Sequence, residues 1–90
     1  MWRITPGQNL GFRQFDDEFV VYNDLSGDTH LLGDSAMHLL SVLQHGPATR
    51  AGLHASLAAA LECDPDAAFA EQADALLATL AGFFLIEYRA

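Results

Sequence analysis

Ninety residues, about half of them hydrophobic, suffice for one small core and leave no room for a second domain. Twelve acidic residues stand against four arginines (Arg3, Arg13, Arg50 and Arg89) and no lysine, and the resulting net charge of −8 makes a poor nucleic-acid surface. The lone Cys63 forms no internal disulfide, the opening Met-Trp-Arg-Ile-Thr-Pro lacks the apolar core of a signal peptide, and no apolar run approaches the roughly 20 residues of a membrane span, so a cytoplasmic chain is expected.

In chain order the first third reads as strands. Leu10, Phe12 and Gln14 alternate with Gly11, Arg13 and Phe15, Asp16-Asp17 breaks the run, and Phe19-Val20-Val21-Tyr22 resumes it. Val20 to Leu32 has the form of a hairpin whose short second strand, Thr29 to Leu32, is stopped by Gly33 and Asp34 and is expected at a sheet edge. The period then changes. Ala36, Leu39, Leu40 and Leu43 recur at helical spacing behind Asp34 or Ser35 as N-cap, with Gly46-Pro47 as the stop, which predicts a first helix from about Ser35 to His45. Thr49 caps a second helix with Leu53, Leu57 and Leu61 on one narrow stripe. Asp64-Pro65-Asp66 offers an N-cap, a proline at the first helical position and an acid in the first turn of a third helix that runs to about Ala81, where Gly82 ends it. Phe83 to Tyr88 is β-prone and either pairs with Trp2-Arg3-Ile4 or covers the core. The expected fold is α+β, a three-stranded antiparallel β-meander followed by three helices, winged-helix-like in its helical half.

The tryptophan near the start, Phe15-Asp16-Asp17-Glu18 followed by Val21-Tyr22-Asn23, the string Ser26-Gly27-Asp28-Thr29-His30-Leu31-Leu32, and a helix bearing Leu39-Leu40 together resemble the PqqD-like peptide chaperones. The resemblance covers nearly the whole chain, residues 1–90, and within that group the Ser-Gly-Asp-Thr-His-Leu string is most similar to the branch associated with HPr-kinase-related proteins. It implies a recognition element for ribosomally made, post-translationally modified peptides, in which the leader segment of a precursor adds a strand to the third β-strand and lies against the third helix. On this chain the strand half of that groove falls on Thr29, His30, Leu31 and Leu32. On the third helix Phe69, Ala73, Leu76 and Leu80 form one stripe, bordered by Gln72, Leu77 and Ala81. One stripe packs inward and the other, where partly exposed, floors the groove; periodicity alone leaves the choice open. The implied partners are a short precursor peptide, a peptide-modifying enzyme or an HPr-kinase-related protein, and in a dimer a second copy of the chain.

Chemistry-bearing residues are sparse. His30 lies beside Asp28 and Thr29 without the base, orienting group and oxyanion site that a nucleophile requires, so it reads as a structural or recognition histidine. Asp34, His38 and His45 lack the paired cysteines and spacing of a metal site, and Cys63, near the start of the third helix, reads as a passive thiol. The glycines are isolated, so no phosphate loop is formed, and no cofactor is implied. An enzyme is the least favoured reading. A winged-helix DNA-binding regulator is the runner-up, opposed by the absence of Lys or Arg between Arg50 and Arg89 and by Asp64, Asp66, Glu71 and Asp74 along the third helix. A third reading is a dimerisation or kinase-binding module using the same edge strand and Phe83-Phe84.

Overall fold

A computed structural model describes residues 1–89. Eight elements follow in order: β1 (Trp2–Ile4), β2 (Leu10–Phe15), β3 (Glu18–Asn23), β4 (Thr29–Leu32), α1 (Asp34–His45), α2 (Arg50–Leu61), α3 (Ala67–Gly82) and β5 (Ile86–Tyr88). The α+β expectation holds: β2, β3 and β4 form an antiparallel meander in sequence order and the three helices follow it. Both roles open to the last segment are observed: it pairs with the first strand, Trp2 opposite Tyr88 and Ile4 opposite Ile86 in a separate two-stranded sheet, and it places Leu85 and Ile86 in the core. Arg3 and Glu87, opposite each other there, form an ion pair with Nε to Oε1 at 2.7 Å.

The helix boundaries show which side chains satisfy the first free N–H groups. Thr49 caps α2 as expected, its hydroxyl accepting from the Gly52 N–H at 3.0 Å. Gly33, with no capping side chain, takes the cap position of α1, so the expectation of Asp34 or Ser35 is corrected; Asp34 instead places its charge in the first turn, where the helix dipole favours it. At α3 the cap is Asp66, whose carboxylate accepts from the Phe69 N–H at 2.8 Å, and Pro65 therefore precedes the cap instead of opening the helix. Gly82 is the last residue of α3 and does not supply its left-handed terminus. That conformation falls on Phe84, at φ 61°.

One buried cluster joins Val21 and Leu32 of the meander to Leu39, Leu40 and Leu43 of α1, Leu53 and Leu57 of α2, Ala73, Leu77 and Leu80 of α3, and Leu85 and Ile86 beyond it. Leu61, expected on the α2 stripe, is instead exposed; His54 and Ala58 complete the buried face of that helix. A polar chain crosses the core margin at the β3–β4 turn. Asn23, 2% exposed, accepts from the Leu25 N–H at 3.0 Å to shape the β3–β4 turn, and its amide donates to Gln8 Oε1. Gln8 Nε2 in turn donates to the Leu85 carbonyl at 2.8 Å. Asn23→Ala leaves Gln8 without its donor and should lower stability in urea denaturation by about 1–3 kcal/mol, whereas Leu61→Ala at the exposed end of α2 should change it by no more than about 0.5 kcal/mol.

Candidate functional site

The alternation of hydrogen bonds along β3 determines what the sheet leaves open. Asn23 N–H bonds the Asp28 carbonyl at 2.8 Å and Asp24 N–H bonds the Asn9 carbonyl at 2.9 Å, so odd-numbered residues of β3 address β4 and even-numbered ones address β2. With Val21 opposite His30 and Phe19 opposite Leu32, those two pairs exchange the ladder bonds. The N–H and C=O groups of Thr29 and Leu31 consequently point away from β3, to an edge that no other strand of the sheet covers. Side chains follow the same alternation. His30 and Leu32 share the core face with Val21, while Thr29 and Leu31 lie on the outer face, Leu31 being 60% exposed.

The other wall is α3. Ala73, Leu77 and Leu80 are its core residues, and at 100° per residue the two flanks separate cleanly. One flank carries Asp74 toward α2: its carboxylate accepts from Arg50 Nε at 2.9 Å, Arg50 Nη2 at 2.6 Å and His54 Nε2 at 2.8 Å. The opposite flank carries Phe69, Gln72 and Leu76. Just past the end of α3, the Phe83 ring stacks on the His30 imidazole of β4 with centroids 4.2 Å apart and planes 14° from parallel. Phe69, Leu76 and Phe83 are all half-buried and Gln72 is exposed. At the N-terminal end of this flank a depression of about 420 Å³ is lined by Phe69, Gln72, Ala68, Asp66, Asp64 and Cys63.

The sequence-derived residues therefore divide. Thr29, His30, Leu31 and Leu32 do form the edge strand, and Gln72 and Leu76 lie on the flank of α3 opposite Asp74. Ala73, Leu77 and Leu80, expected along the groove, are no more than 1% exposed and are corrected to core; a helix packed on two sides turns its small and branched residues to the tightest contact. The stack of Phe83 on His30 has no local signal in the sequence, because the two lie 53 positions apart. Among the described residues no three His, Cys, Asp or Glu side chains converge as metal ligands: His38 Nε2 shares a hydrogen bond with Ser56 Oγ at 3.0 Å, His45 bonds the Ser41 carbonyl, and Cys63 is exposed. His30 Nε2 is buried with no hydrogen-bond partner. No described helix is long and apolar enough to cross a membrane.

Two measurements probe this placement. The hydrogen bond from Arg50 holds the Asp74 carboxyl at a pKa of about 2, with His54 adding to it and partial burial opposing it. A carboxyl depressed in the folded state contributes stability that is complete above its unfolded value near 4 and lost as pH falls toward 2. Asp74→Asn should flatten the stability profile across that window in acid titrations followed by circular dichroism. Leu77→Glu buries an unpaired carboxylate at a cost of several kcal/mol and should abolish the folded signal, whereas Gln72→Glu on the exposed flank should not.

No family model matches the chain, and no curated protein matches it. Among solved structures, TbiB1 in complex with the TbiA(beta) leader peptide is similar over 98% of this chain and 98% of its own, with a TM-score of 0.73 at 20% sequence identity. At that identity the likeness establishes a common fold.

Proposed function

We propose that this chain is a PqqD-like, non-catalytic recognition domain that binds the leader segment of a ribosomally made precursor peptide by strand addition to β4 and presents it to a modifying enzyme, an HPr-kinase-related protein being the partner that the Ser26-to-Leu32 string suggests. The observation that carries the reading is the row of outward main-chain groups at Thr29 and Leu31, on a strand whose His30 stacks on Phe83 at the end of α3. Main-chain bonds supply register-dependent affinity, and the flank of α3 supplies pockets for alternate side chains. The likeness to TbiB1, solved with a leader peptide, supports it through a fold shared along nearly the whole chain.

β2 is the second open edge of the meander. It lacks the stacked aromatic wall that β4 gains from Phe83, so β4 is preferred. Neither β4 nor α3 carries a cation, and Asp28 and Asp34 flank β4, which suits a neutral or basic peptide segment and disfavours duplex DNA.

The test is selection of phage-displayed random peptides on the immobilised domain, with counter-selection on two variants. Leu31→Pro removes an N–H directed at the open edge while sparing the ladder to β3, so it should stay folded and lose the selected peptides. Gln14→Pro makes the equivalent change on the β2 edge and should retain them. Amide exchange should show Thr29 and Leu31 newly protected on binding. Peptides held equally by wild type and a folded Leu31→Pro variant would refute strand addition at β4.

A further inference from the structure

The end of α3 is built as a Schellman motif, with Leu85 N–H bonding the Leu80 carbonyl at 3.1 Å and Phe84 N–H bonding the Ala81 carbonyl at 2.9 Å. The motif demands a left-handed residue at Phe84, the position that glycine ordinarily fills because a Cβ is disfavoured there. Three non-glycine residues among those described have positive φ: Asp16 in the β2–β3 turn, Glu62 at the end of α2, and Phe84 at φ 61°. A short polar residue tolerates this region; for a bulky aromatic it is an outlier. Phe84 gains little burial in return, being 77% exposed, the largest exposure among the large hydrophobic residues. A glycine already stands two positions earlier, at Gly82, where the motif makes no such demand.

The fold requires the left-handed backbone at this position but not a phenyl ring on it, so the strain that the bulky side chain adds is a pointer to function, and the location of this residue supplies the occupant. Phe84 directly follows Phe83, whose ring forms the wall of the β4 groove through its stack on His30. We propose that Phe84 is a peptide-binding residue: a rigid apolar platform at the C-terminal end of α3 that takes a large apolar side chain of the same peptide that adds to β4. The inference rests on the strand-addition reading above. The two Schellman bonds fix its backbone in the free protein, so only the rotation of the ring remains to be ordered on binding, and aromatic anchors are the contacts that dominate such interfaces. A second copy of the chain is the less suitable occupant, because each copy carries a net charge of −8.

The experiment uses peptides enriched by phage display on the full domain and lost on the folded Leu31→Pro variant, then synthesised with a fluorescent label for anisotropy. Phe84→Gly should raise the thermal midpoint or leave it unchanged, yet weaken these peptides at least about fivefold. Phe84→Asn, which also accepts the left-handed region, should show the same loss, and Phe84→Trp should restore most of the affinity. Replacing the apolar residues of a selected peptide by alanine in turn should reveal one whose loss matters for wild type and not for Phe84→Gly. If Phe84→Gly binds as tightly as wild type while Leu31→Pro does not bind, Phe84 is no contact and strand addition stands. If no Leu31-dependent peptide is enriched, both the groove and the platform are overturned.

Discussion

The chain of hydrogen bonds from Asn23 through Gln8 to the Leu85 carbonyl is the constraint on which the rest of the arrangement depends. Asn23 sits where β3 turns into the β4 hairpin, and Leu85 sits where α3 turns into β5. The same Leu85 carbonyl accepts from Thr5 N–H at 3.1 Å, while its N–H closes the end of α3. Buried polar groups are expensive when unpaired, so a chain with every link made tolerates few alternative dockings of the meander on the helices. Its consequence is positional: β4 and the end of α3 are held together at the site of the His30–Phe83 stack.

The opposite flank of α3 is fixed by different physics. Asp74 accepts from both Arg50 and His54, and two donors on one partly exposed carboxylate favour a single rotation of α3 against α2. Because the exposed part of that cluster is screened by solvent, its value lies more in specifying orientation than in free energy. Turning Asp74 to α2 puts Phe69 and Leu76 on the opposite flank of the helix, which leads on to Phe83 and its stack on His30. A helix of small and branched residues packed between two neighbours thus has one flank sealed by charge and one left partly apolar.

An open edge strand is a liability, and here it is short, four residues, and flanked by the acids Asp28 and Asp34. With a net charge of −8 on each copy, like-charge repulsion opposes the pairing of two such edges. The edge is therefore protected against its own kind while its main-chain groups stay accessible to a neutral or basic strand. The left-handed Phe84, at the turn that follows α3, is a second local departure from what stability alone favours.

Local pattern determined much of this protein. Alternation placed β2, β3 and the short strand at Thr29 to Leu32, helical spacing gave Ala36, Leu39, Leu40 and Leu43 as the buried face of α1, and Thr49 announced the start of α2, because each of these depends on residues within a turn or two of one another. The edge position of β4 was legible too, since Gly33 and Asp34 leave the chain no residues for another strand before α1. What only the tertiary structure decided is which side of α3 faces inward. Alanine-rich, with apolar residues on more than one stripe, that helix has no single preferred face by periodicity, and the choice of Ala73, Leu77 and Leu80 as core came with the bonds of Arg50 and His54 to Asp74 on one side and, just past the helix, the stack of Phe83 on His30. The same holds at its end: Gly82 satisfied every local expectation of a stop signal, yet the pull of Leu85 into the core and the pairing of Ile86 with Ile4 set the turn two residues later, on Phe84. Contacts between residues distant in sequence decide such questions, and no local period encodes them.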